Sequence, residues 1–498
     1  NHRGVNPGGI VSRMSRPNLL FIMPDQLRAD FLSCYGADFI DTPNIDSLAA
    51  EGVIYPNTYS PSPVCVPARC VLLTGRDAAA NGVLGNNHFL RPDLAESGVR
   101  TWPEILGSAG YLSAAIGKMH FYPWDASLGF EHRVICEDKR WLDIQDDYYH
   151  HLQAKDLRKL HGEDHVGYQE NRGAIICPYE LDDSWDGFVG AQAERFIREY
   201  DDERPFAAMV GFPGPHCPYD PCAEYAAMFD PADMPAPAPY VQEQDQGMRQ
   251  ANVRSNRGAW NGVDYSTFTA AHKAKVRAHY AALVKQIDDQ VGRILQALEE
   301  TGQLDNTIII FSSDHGDMLG DHDLIGKANF YQGSCRVPLL VRYPGLGSSS
   351  VERSLVSLED VTATLLALAG VDRPDWYDSV PLPGLGIDSQ PRQRIFGFLG
   401  NALMNFDGRH KWVKYTAGTQ CLFDLDTDPQ EQHNLVNTDE GQPIAQRLDG
   451  ELTKRLMGSL QAAHSERIVA HETLYDSAAF GQPDWQRQYP QPFEADRP

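Results

Sequence analysis

No stretch of this chain is apolar for the roughly 18 residues that a membrane-spanning helix needs, so no membrane partner is expected of its 498 residues. Basic residues are scarce. Lys and Arg total 43 against 68 Asp and Glu, a formal charge of −25. That balance argues against nucleic acid and anionic lipid as partners, and it disfavours polysulfated polymers. No C-x-x-C pair occurs among the nine cysteines, so neither a zinc ribbon nor a redox motif is indicated. Cys217 and Cys222 are close enough in sequence to pair, but an odd count in a large chain reads as mostly reduced thiols. No internal repeat is visible. The first residues, NHRGVNPGGIVSR, lack the apolar centre of a signal peptide. Residues 1–13 are expected to be a cloning remnant ahead of Met14, and a cytoplasmic location follows, compatible also with a leader removed beforehand.

What is present is an ordinary globular mixture, 42% hydrophobic and 22% charged. Apolar runs alternate with helical periodicity, which predicts an α/β fold with a large, mostly parallel sheet sandwiched by helices. The runs are 18–23 (NLLFIM), 111–116 (YLSAAI), 205–212 (PFAAMVGF), 307–311 (TIIIF) and 336–342 (RVPLLVR). Thr42-Pro43 marks a helix start, with an end near Gly52. The longest helix spans 271–301: Val276, Tyr280, Leu283, Ile287, Val291, Ile294 and Leu298 step by three or four, and Gly302 stops it. Residues 14–385 are expected as the main catalytic domain, with 122–187 as a lid or insertion over one face. The Pro/Gly-rich stretch 371–395 reads as a linker. Residues 396–465 read as a small C-terminal α+β subdomain, and 466–498 as an arm. Its Trp485, Tyr489 and Phe493 suit packing on a second copy, a homo-oligomer, or on its own subunit.

The polar residues fall at strand ends. The first four runs lead into Pro24-Asp25-Gln26, Gly117-Lys118-Met119-His120, Gly214-Pro215-His216 and Ser313-Asp314-His315. Singly, such an Asp is a turn former and such a His a satisfied core or surface residue. Open α/β sheets, however, bind ligands beyond the carboxyl ends of their strands. Four parallel neighbours would bring two carboxylates, three imidazoles and an ammonium to one edge. Asp25, Asp314 and His315, with Gln26, form a plausible cation set. Oxygen ligands suit calcium, magnesium or manganese, and the imidazole tilts the set toward manganese.

The stretch SPVCVPARCVLLTGR, residues 62–76, places Cys65 just before Pro67, a first-turn proline, with Arg69 one turn on. Backbone N–H groups there favour an anion or a thiolate. On these residues alone, Cys65 is either a nucleophile for an anionic substrate or a small buried residue at a helix start.

Cys65-Val66-Pro67-Ala68-Arg69 followed by Leu73-Thr74-Gly75-Arg76 resembles the C-x-P-x-R…T-G signature of the type I sulfatases, in the alkaline phosphatase superfamily. The similarity runs from about Pro17 to Leu435, through the Asp314-His315-Gly316, Gly326-Lys327 and Leu422-Phe423-Asp424-Leu425 segments. It implies an alkaline-phosphatase-like sheet, with an antiparallel sheet in the C-terminal subdomain. It further implies a sulfuric ester hydrolase that splits sulfate monoesters, arylsulfatase-like, into an alcohol or phenol and sulfate. The nucleophile would be formylglycine, made from Cys65 by a maturation system. One divalent cation, calcium ahead of manganese, would be held by Asp25, Gln26, Asp314, His315 and residue 65. By the same resemblance Arg69 and Lys118 hold the nucleophile, and His120 takes the proton that frees sulfate. His216, with Lys327, protonates the leaving group. Asn86, Lys118, His216 and Lys327 contact substrate. Asp25-Gln26 and Asp314-His315 depart from the common Asp-Asp and Asp-Asn pairs. They resemble the related phosphonate monoester hydrolases, so a phosphonate monoester or phosphodiester hydrolase is the alternative. An inactive anion binder and a Cys65–Cys70 disulfide complete the alternatives.

Overall fold

The computed structural model describes residues 16–94, 97–240, 247–346 and 349–465. The expected remnant 1–13 and the arm 466–498 lie outside the described residues. Eight strands form the main sheet: β1 Asn18–Asp25, β2 Gly52–Ile54, β3 Leu112–Gly117, β4 His132–Ile135, β5 Phe206–Pro215, β6 Thr307–Ser312, β7 Leu339–Arg342 and β8 Ser350–Val351. Their order across the sheet is β8-β2-β7-β6-β1-β5-β3-β4. Only β7 runs against the others. The central strands are buried on both faces, which is why they read as unbroken apolar runs.

The helices that matter for the site are α1 Pro43–Ala50, α2 Cys65–Thr74, α3 Trp185–Arg198, α4 Ala270–Glu300 and α5 Asp360–Leu368. Alternation along β1 assigns them to the two faces. Leu20 and Ile22 join Leu48 of α1, Val189 of α3 and Ile287 and Val291 of α4. Leu19, Phe21 and Met23 join Val66 and Leu72 of α2 and Val361 and Leu365 of α5. The long helix starts one residue before the expected range. Thr269 caps it by accepting the His272 N–H at 3.2 Å, and all seven periodic residues are buried.

Glycine is required where β3 meets β5. Gly117 pairs with Gly211, and a Cβ on Gly117 would fall 2.2 Å from the Gly211 carbonyl. Gly117 also sits at φ +91°, open to glycine without strain. Backbones therefore close up just before the strands release Lys118 and His216.

A second sheet of four antiparallel strands, β9 Ile395–Phe398, β10 Ala402–Phe406, β11 His410–Tyr415 and β12 Gln420–Asp424, is followed by α6 Gly441–Ser465. Two expectations change. Residues 132–135, expected within a lid or insertion, instead extend the main sheet as its edge strand β4. Residues 371–395 are not a free linker: Tyr377, Leu382 and Leu385 are buried with α2 and α5, and the Asp378 and Ser379 N–H groups donate to the Gly75 carbonyl.

Candidate active site

Five adjacent parallel strands, β6, β1, β5, β3 and β4, deliver side chains to one edge of the sheet. In that order they bring Asp314 and His315, Asp25 and Gln26, His216, Lys118 and His120, and then Glu137 and Asp138. Helix α2 points its first residue, Cys65, into the same space. The thiol has no exposed surface. His315 Nε2 lies 3.2 Å from Sγ and Asp25 Oδ1 3.9 Å. His120 and His216 stand at the same sheet edge and act electrostatically on the thiol.

The start of α2 is fixed from outside the helix. Val64 supplies no side-chain cap; instead Asn86 Oδ1 accepts the Val66 N–H at 3.0 Å. Asn86 in turn receives the Tyr122 hydroxyl on its carbonyl at 2.9 Å. The residue expected to touch substrate thus secures the turn that carries Cys65.

Arg69 ties the carboxylates together. Its Nε donates to Asp314 Oδ2 and its Nη2 to Asp25 Oδ2, both at 3.1 Å, while Nη1 donates to the Lys118 carbonyl at 2.6 Å. Lys118 Nζ lies 2.8 Å from Asp25 Oδ2 and 2.7 Å from Asp138 Oδ2. Arg140 closes on the other side of Asp138, Nε to Oδ1 at 2.5 Å and Nη2 to Oδ2 at 2.8 Å.

These neighbours decide which groups are charged. Burial and the Cys65 charge oppose ionisation of Asp25, but Lys118, His216 and Arg69 hold it well below the carboxylate range. Burial and Asp25 push Asp314 upward. Burial also opposes ionisation of Asp138, yet Lys118 and Arg140 keep it well below its usual value. The Cys65 thiol is lowered despite burial, by Lys327, His315 and Lys118. Burial, then Lys327 and Lys118, push His216 down to about 3. Its Nδ1–H donates to the Cys217 carbonyl at 2.5 Å, so Nε2 carries the lone pair.

Asp25, Cys65, Asp314 and His315 each offer a ligand atom within 4.8 Å of one another, all buried. Two carboxylates, an imidazole and a group at position 65 suit one divalent cation. Gln26, expected among the ligands, reaches the site, but its amide is turned elsewhere. Oε1 accepts from Lys327 and Nε2 donates to Asp317. It sits at φ +72°, held by Tyr280 of α4, whose hydroxyl donates to the Gln26 carbonyl at 2.6 Å. Gln26 therefore links Lys327 to Asp317.

Sequence reasoning missed Glu137, Asp138 and Arg140. The strand before them is short, half-exposed and contains His132 and Arg133, so no apolar run announced it. All nine cysteines are thiols, including Cys65 and Cys70, and also Cys217 and Cys222. No helix among the described residues is long and apolar enough to cross a membrane.

A sulfatase family model matches residues 17–371. The chain belongs to the sulfatase family. It is 31% identical over 473 residues to an arylsulfatase of Clostridium perfringens, covering 89% of this chain and 95% of that one. It is also 31% identical over 491 residues to a choline-sulfatase of Rhizobium meliloti, covering 93% and 90%. A solved structure of the phosphonate monoester hydrolase of Agrobacterium radiobacter superposes with a TM-score of 0.79 at 25% identity, covering 89% of this chain and 96% of that one. This sulfatase is a sulfuric ester hydrolase, and its reaction is the hydrolysis of sulfate monoesters.

Proposed function

We propose that this sulfatase acts on small aryl or alkyl sulfate esters with one calcium ion, manganese being second choice, and with formylglycine at position 65. The observation that carries the reading is the position of the buried Cys65 at the first turn of α2, 3.2 Å from His315 Nε2 and 3.9 Å from Asp25 Oδ1, in one cluster with Asp314. Asp25, Asp314 and His315 would hold the cation. When present, the cation supplies a Lewis acid and residue 65 an activated hydroxyl.

The protein's own groups do the rest. Arg69 and Lys118 fix the carboxylates and offset charge that develops on sulfate oxygens. His216 Nε2 accepts before it donates. The anionic substrate offsets Lys118 and Lys327, so the imidazole takes up a proton and passes it to the leaving oxygen. Departure of the alcohol or phenol comes first. His120 then accepts the proton whose removal frees sulfate. Since the Cys65 thiol has no exposed surface, its maturation would precede folding. Location in the cytoplasm and assembly into a homo-oligomer belong to the same proposal.

Phosphonate monoester hydrolysis is the second reading. It is favoured by Gln26 and His315 in the cation segments and by the 0.79 superposition. The test is kcat/KM for 4-nitrophenyl sulfate beside a 4-nitrophenyl phosphonate monoester, on enzyme whose residue 65 is formylglycine by mass spectrometry. A clear excess for sulfate supports the first reading; an excess for the phosphonate overturns it.

A further inference from the structure

We propose that Glu137 is a positioning residue for His120, acting through the backbone and not through the reacting atoms. Glu137 follows edge strand β4 and is fully buried. Its carboxylate takes two consecutive backbone donors: Oε1 accepts the Met119 N–H at 3.2 Å and Oε2 the His120 N–H at 2.8 Å. His120 stands at φ +58°, a left-handed conformation that residues other than glycine rarely adopt. That conformation turns the two amides toward one side, where a carboxylate with two oxygens matches them. The carboxylate is itself fixed: Arg133 Nη2 lies 3.5 Å from Oε1, and the Glu137 N–H donates to Asp146 Oδ2 at 3.1 Å.

The held conformation sets where the imidazole goes. The His120 ring stands edge-on to Trp141, centroids 4.9 Å apart at 88°, and Nδ1 lies 3.6 Å from Asp138 Oδ2. The same Asp138 oxygen pairs with Lys118 Nζ, so the ring is held at the sheet edge that carries Cys65. No other carboxylate accepts from these two amides among the described residues. Without Glu137 the turn loses both of its anchors, and its left-handed residue is free to relax.

This inference rests on the reading of His120 as the group that frees sulfate after the leaving group has gone. In that order kcat/KM reports only the steps up to leaving-group departure, whereas kcat also reports sulfate release. The experiment compares wild-type, Glu137→Ala and Glu137→Gln enzyme, each with formylglycine verified at position 65. Glutamine keeps the volume but offers one acceptor for two donors, so it rescues part of the alanine loss.

Two readouts are taken. Hydrogen–deuterium exchange at the Met119 and His120 amides, which needs no turnover, is expected to quicken at least tenfold in Glu137→Ala, with residues 112–117 unchanged. On 4-nitrophenyl sulfate, kcat and KM are expected to fall together by tenfold or more, leaving kcat/KM near wild type, with Glu137→Gln in between. A merely structural loss would lower kcat/KM along with kcat. Unchanged exchange at the two amides overturns the proposal, as does a kcat/KM that falls in step with kcat. If wild-type enzyme prefers the phosphonate ester, the sulfate reading fails, and the exchange readout alone decides the role of Glu137. Should Glu137→Ala not fold, Glu137→Gln carries both readouts with the same signs.

Discussion

The Lys118 ammonium lies 2.7 Å from the Asp138 carboxylate, and neither side chain is exposed beyond 1%. A buried charge that loses a partner is less well compensated: without Asp138, Lys118 keeps only Asp25, at 2.8 Å, and Arg140 loses its carboxylate. Asp138→Asn is therefore expected to destabilise the protein by about 3–5 kcal/mol, read by urea denaturation. Adding Lys118→Met to that variant should recover much of the loss. No destabilisation in the single variant would mean that Asp25 alone satisfies Lys118.

Turnover depends on residue 65 and on the cations around it. Cys65→Ala should abolish hydrolysis of 4-nitrophenyl sulfate. Lys118→Ala should lower kcat on the order of 10²–10³, the usual effect of deleting one preorganised charge-stabilising group. Near-normal rates in either variant would contradict the site.

Asp25 and Asp314 repel each other in a space closed to water, and Asp314 is pushed up for that reason after burial itself. A divalent cation removes the conflict. Chelation should lower Tm, and calcium at about 100 times its Kd should restore roughly 2.7 kcal/mol of stability. Calorimetry with calcium and then manganese measures this, and the larger rise at equal concentration identifies the preferred ion. A Tm indifferent to chelator and to both ions would remove the cation from the site.

Asp186, buried behind the His216 segment, accepts the Gly214 N–H at 2.7 Å. Burial raises its pKa from 3.8 to about 6. Between those values the folded protein binds more proton at this group than the unfolded chain does. Its contribution is therefore complete below about 3.8 and is lost as pH rises through 6. Relative to Asp186→Asn, wild type should gain stability on acidification from pH 7 to 4, by at most about 3 kcal/mol. A difference that does not vary with pH would show that Asp186 titrates normally.

The central strands were legible because they are buried on both faces, so apolar runs ended abruptly at Asp25, Lys118, His216 and Asp314. Cys65 was legible through the spacing to Pro67 and Arg69. What escaped was set by tertiary contact. The edge strand His132–Ile135 is half-exposed and mixes His and Arg with Val and Ile, so the acids after it had no marker. Gln26 has the chemistry of a cation ligand, and only the arrival of Lys327 and Asp317 turns its amide away. The proline and glycine of 371–395 suggested slack, but Leu382 and Leu385 anchor that stretch in the core.

Among the described residues strand β4 is paired along one side only, and it has just four residues, none of them fully buried. Such an edge opens at a lower free energy than the whole molecule. When it frays it takes with it the wall formed by Glu137 and Asp138, while the central strands stay folded. Loss of the site would then precede global unfolding on heating. Activity should fade, reversibly, at temperatures where circular dichroism still reports an intact fold.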